Sequence, residues 1–197
     1  MWGDFMFKKI HYNAPIILTF TVLSFAALLL GQWTKMFTTS LLFSVYRSSP
    51  KSFFFYIRLF GHILGHANWE HFINNFLLIL LIGPILEEKY GSRNILFMIL
   101  FTAFITGIIN IMFFNSALLG ASGIVFMLIL LSSFANIQEG TIPLTLILVV
   151  IIFMGKEIMN GLFAKDQISQ LTHIIGGLCG GIFGYKINTP KKESSSL

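Results

Sequence analysis

Apolar residues fall along this chain in long blocks with short polar punctuation between them. Six such blocks can be drawn: Ala14 to Gly31, Trp69 to Leu86, Ile95 to Phe114, Ala121 to Ala135, Ile142 to Met154 and Leu171 to Tyr185. Each reads as a helix, and the class that follows is an all-α polytopic membrane protein. The first and third blocks are long enough to cross a ~30 Å hydrocarbon core unaided. The others read as short, down to the 13 residues of Ile142 to Met154; at 1.5 Å per residue, a helix of about 15 residues covers only about 22 Å. Short helices carrying Asn74, Asn75, Ser122 and His173 make poor lipid-facing elements. They are expected inside a bundle, starting below the surface beside a water-filled cavity.

The stretch from Gln32 to Asn68 is too apolar for a solvated loop and too interrupted to span. It is expected to lie partly sunk in the membrane interface, with Phe53, Phe54, Phe55 and Tyr56 at headgroup level. The first block has a signal-like basic lead, Lys8 and Lys9, but no small-residue cleavage pattern follows before Gln32, so it reads as a retained anchor. Residues 186–197, ending KKESSSL, form a polar tail expected to fray. No repeat or linker divides the chain, which implies one domain over residues 1–197.

Composition excludes more than it identifies. Of 197 residues, 55% are hydrophobic and 11% charged, against roughly a quarter charged in soluble domains. The net charge of +5 is too dispersed to neutralise several phosphates, so nucleic acid is not an expected partner. If both termini lie inside, seven of the 13 basic residues do as well, which favours that orientation only slightly. A single cysteine, Cys179, rules out an internal disulfide and any thiolate metal cluster.

Even-numbered segments of a serial bundle run in one direction, so residues early in segments two, four and six share a membrane depth. His71 and Asn75, Ser122, and His173 occupy such positions. In Gly120-Ala121-Ser122-Gly123 the small neighbours let a backbone approach the hydroxyl, and a helix start offers unpaired amides for an oxyanion. Gly176 and Gly180 follow His173 in a small-xxx-small pattern that admits a second helix closely; Gly177, Gly181 and Gly184 are read as packing residues. His71 and Asn75, four apart, share a face; their N–H groups either aim at an oxyanion or tie segment two to a neighbour. Intramembrane serines such as Ser24, Ser132 and Ser133 ordinarily bond to their own helix. His62 and His66 have the spacing of a metal pair, but no HExxH signature or third ligand accompanies them, so no metal is expected. Asp4 and Asp166 are the only aspartates and lie outside every block, which leaves no carboxylate dyad and no third member for a serine triad. What remains is a two-residue system, His173 acting as base toward Ser122 and then as acid toward the leaving amine. Phe126, one turn after Ser122, is the candidate platform for the imidazole.

These motifs resemble the rhomboid family of intramembrane serine proteases. GHILGHANWEHFINN resembles the family's histidine-rich segment, ending in His71 to Asn75; GASG resembles its nucleophile motif; and HIIGGLCG resembles HxxGxxxG, here His173, Gly176 and Gly180. With Arg58 in the first loop, they run in order from Arg58 to Gly184. The resemblance implies a six-helix bundle, Ser122 as nucleophile, His173 as base, and an oxyanion hole from the Ser122 amide with His71 and Asn75. It assigns Gly120, Gly123, Phe126, Gly176, Gly180, Arg58 and His66 to shaping the site. It implies transmembrane protein substrates entering past segment five, no cofactor, and a bacterial cytoplasmic membrane with the site facing its outer side. Pro143 opens that fifth segment, and the loop Gly155 to Gln167 is placed to cap the cavity. Two departures stand out: Ile57 where the family often has tryptophan, and Phe126 where it often has tyrosine. The alternatives are a silent client-binding protein of the same fold and a small-solute transporter; the absence of a halved repeat and of an intramembrane acid speaks against the transporter.

Overall fold

A proline opens the first helix, where its ring presets φ and its missing N–H has no intrahelical partner to lose. In the computed structural model, which describes residues 11–134, 144–155 and 168–188, α1 runs Pro15–Trp33. The first loop holds α2 (Phe37–Leu42) and α3 (Phe53–Gly61). Then follow α4 (Trp69–Tyr90), α5 (Ser92–Phe113) and α6 (Ser122–Ser133). α7 (Leu144–Val149) continues through a π-helical turn at Val150–Met154, and α8 spans Ile168–Asn188. The described residues are otherwise loops and one isolated antiparallel bridge, Val45 to Leu118. The class is all-α, and α1, α4 and α5 are each long and apolar enough to cross a membrane.

Helix ends differ from the apolar blocks. Segment two extends to Tyr90 and segment six from Ile168 to Asn188, so neither is short, and residues 186–188 of the expected tail are helical. Backbone hydrogen bonding carries a helix past the point where apolar side chains stop, and long charged side chains at its end reach back to water. Residues 189–197, Ala135, Ile142, Pro143 and 156–167, including most of the expected capping loop, lie outside the described residues.

Glu87 does not reach water. It is 3% exposed, and its two oxygens accept the Ile16 and Ile17 amides at 3.0 and 2.9 Å while the Ser92 hydroxyl donates to it at 2.6 Å. Ala14, at the cap position of α1, has no side-chain acceptor. A carboxylate from α4 therefore takes the place of the cap, where free amides and the helix dipole favour negative charge. Glu87 is thus a buried acid within a helix, where the sequence reading expected no intramembrane acid.

The innermost helix is α6, whose Ile124, Met127, Leu128 and Leu131 have essentially no exposed surface. Gly176 of α8 sits on the Gly123 carbonyl and Gly180 on the Met127 carbonyl, so closely that a Cβ at either glycine would overlap backbone. Gly184 faces the Phe134 ring. Positions rise together along both helices, so α6 and α8 are parallel.

The first loop is pinned rather than merely sunk. Buried Arg58 donates to Ser48 Oγ at 2.7 Å and lies over the Tyr46 ring at 4.4 Å. Arg47 donates to the Ile111 and Met112 carbonyls at the end of α5, where a cation suits the helix dipole. Asn110 donates to the Val45 and Ser116 carbonyls at 3.1 Å each. Exposed rings such as Phe37, Phe53 and Tyr56 lie on this loop.

Candidate active site

The site assembles where the turn before α6 meets the starts of α4 and α8. Gly120 has φ +122, a region open essentially to glycine. A side chain there would also meet the His71 ring, whose Cε1 and Nε2 lie 2.7 Å from the Cβ position. Glycine is thus required twice over, for backbone shape and for room. Two histidine-loop contacts hold this turn: the Gly120 amide donates to the His62 carbonyl at 2.9 Å, and the Ala121 amide to His66 Nε2 at 3.4 Å.

Accepting from Ala121 requires a bare Nε2, which puts the His66 proton on Nδ1, in position to donate to the Leu64 carbonyl at 3.1 Å. Burial, reinforced by neighbouring His71, pushes the His66 pKa well below its ordinary value and keeps that neutral form. His62 is buried beside Thr106 Oγ1 and the Arg58 carbonyl. Both rings are committed to shaping the loop beneath Ser122, a role that spacing alone did not separate from metal binding.

Asn68 caps the N-terminus of α4; its side chain accepts the His71 amide at 2.8 Å and fixes His71 in the first turn. The His71 ring meets His66 edge-on, centroids 5.0 Å apart, and lies within electrostatic range of His173. Asn75, buried, donates to the His71 carbonyl at 3.0 Å; an amide nitrogen carries two N–H groups, and that bond takes one. Asn74 is exposed.

Ser122 is the first residue of α6, where amides lack intrahelical partners. Phe126, one turn on, stacks flat on His173, with centroids 4.4 Å apart and planes 8° from parallel. Gly123, beside Ser122, faces Thr172, beside His173. The structure therefore brings the Ser122 turn, His71 and His173 to one end of the bundle. Arg58 stands apart, building the first loop through Ser48 and Tyr46. Ser132 and Ser133 donate to the Ile129 carbonyl as intrahelical serines do; Ser24, at 0% exposure, has a hydroxyl with no protein partner among the described residues. Glu87 is the residue that sequence reasoning missed, and its only sequence signal was a carboxylate immediately after an apolar block.

A scan against protein families matches the Rhomboid domain model over residues 54–189. A search of curated proteins returns no match.

Proposed function

The chain belongs to the rhomboid family, and from that premise we propose that it is a serine endopeptidase cutting transmembrane segments with a Ser122–His173 dyad. His173 takes the Ser122 proton as the hydroxyl oxygen attacks the scissile carbonyl. The C–N bond of the tetrahedral intermediate then breaks while His173 returns that proton to the leaving amine. Water, deprotonated by the same imidazole, releases the acyl group and regenerates Ser122. The oxyanion is received by the unpaired amides at the start of α6 together with His71 and an N–H of Asn75. No metal or cofactor takes part in this scheme.

One observation carries the reading: Phe126 lies flat on His173 while the glycines of the same turn bring α6 and α8 into backbone contact. A structural histidine needs no flat aromatic platform beside a serine at a helix start. In this reading the substrates are membrane proteins of a bacterial cytoplasmic membrane, the site faces the outer side, and entry is past α7. A fluorophosphonate probe is expected to label the wild type and not Ser122→Ala. Equal labelling of both would remove the nucleophile and favour a client-binding protein of the same fold.

A further inference from the structure

Two apolar grooves flank α8, one from Ile174 and one from Cys179 toward its C-terminal end. The first, about 810 Å³, lies between α8, α6 and α7, with Phe134, Val150 and Leu178 among its walls. The second, about 560 Å³, lies between α8 and α5 and includes Phe97, Phe101 and Phe183. Ile182 and Lys186 line both. Gly177 and Gly181 line the first, and a Cβ at Gly181 would meet nothing within 4 Å among the described residues. Among the described residues Gly181 therefore borders a groove and does not seat a helix, where the sequence suggested packing.

From Ile174 to Lys186 the first groove follows about 18 Å of helix, close to the ~15 Å depth of one leaflet. The grooves are parted by the Ile182 ridge and share a cationic end. There Lys186 is exposed, Asn94 lines the second groove, and Lys89 and Arg93 are exposed nearby in sequence. Of the two acids among the described residues at this end, Glu87 is engaged by α1 and Glu88 is exposed. A packed peptide helix, about 10 Å across, calls for one continuous groove. A leaflet-deep apolar channel and a shorter one, following about 12 Å of α8 from Cys179 to Ile187, converge on a cation; they match a different shape, two chains under one anionic headgroup. We propose that this face of α8 binds one anionic diacyl glycerophospholipid, its chains straddling Ile182 and its headgroup phosphate at Lys186. The headgroup position lies at the end of α8 opposite His173, and the proposal does not depend on the proteolytic reading.

Native mass spectrometry of the purified full chain, given equimolar dioleoyl phosphatidylglycerol and dioleoyl phosphatidylcholine, tests this. The expected result is one retained lipid, the anionic one favoured about fivefold, as one lysine at an anionic surface provides. Lys186→Glu brings the ratio to one or below, and Ile182→Trp, which enlarges the ridge between the two channels, reduces retention of either lipid. Leu77→Trp, on an exposed face of α4, leaves retention unchanged. Circular dichroism checks folding, and Lys186→Gln repeats the test if Lys186→Glu fails that check. Equal retention by the wild type, or an unchanged ratio in the lysine variants, overturns the proposal. So does a dimer peak that Ile182→Trp abolishes, which would assign the grooves to a second copy of the chain.

Discussion

Phe126 lies flat against the His173 imidazole, and such a contact fixes the plane of a ring without itself using the ring nitrogens. Phe126→Ala is expected to lower kcat about tenfold, from the ~0.5–1.5 kcal/mol that an aromatic pair contributes; Phe126→Tyr, which keeps the ring, retains activity in the same reporter assay. Gly120→Ala meets both the positive φ and the His71 ring and is expected to cost ~100-fold or more in rate. His66 sets an acid limit. Its pKa is lowered by burial, so the folded state binds fewer protons than the unfolded one, and the stabilisation is full above about pH 6.5 and is lost as pH falls through the lower folded value. Buried His62 is shifted in the same direction for the same reason. The thermal midpoint in detergent is therefore expected to fall on acidification below about pH 6.5, and His66→Gln is expected to reduce that slope. Ser122, His173 and Phe126 were legible in the sequence because a helical turn relates 122 to 126 and serial topology relates segment four to six. His66 as an acceptor for the Ala121 amide was not, because its partner is 55 residues away and imidazole spacing does not distinguish a loop anchor from a ligand.

Between elements, the α6–α8 contact carries the geometry. Gly176→Ala and Gly180→Ala each place a methyl against a carbonyl of α6, and each is expected to cost ~1–3 kcal/mol in detergent unfolding and to lower activity as His173 moves away from Ser122. Glu87→Gln keeps the shape of the α1 cap but not its charge. It is expected to lower stability by ~1 kcal/mol, measured the same way, with Ser122 and His173 untouched. The glycine pair was readable from its helical spacing. The Glu87 cap was hidden for a physical reason: an apolar-block reading ends segment two at Leu86, and the amides that make the next residue useful belong to a helix about 70 positions earlier. The π turn that continues α7 likewise leaves no mark in an unbroken apolar run, Val150 to Met154.

At the scale of the molecule, apolar length and the poverty of charge were enough for the class, and the rhomboid match over residues 54–189 agrees with the motif order from Arg58 to Gly184. Orientation was not legible, since the basic residues divide almost evenly and Arg58 and Arg47, counted as loop charges, serve as structural pins. Nor was Gly181, whose place in a glycine run suggested helix packing where the fold leaves a groove. The central claim, that this bundle hydrolyses peptide bonds inside the membrane, is tested most directly by cleavage of a panel of transmembrane reporter substrates in proteoliposomes. The account predicts that the wild type cuts at least one reporter and that Ser122→Ala and His173→Ala, folded and inserted, cut none; full cleavage by either variant, or none by the wild type across the panel, would contradict it.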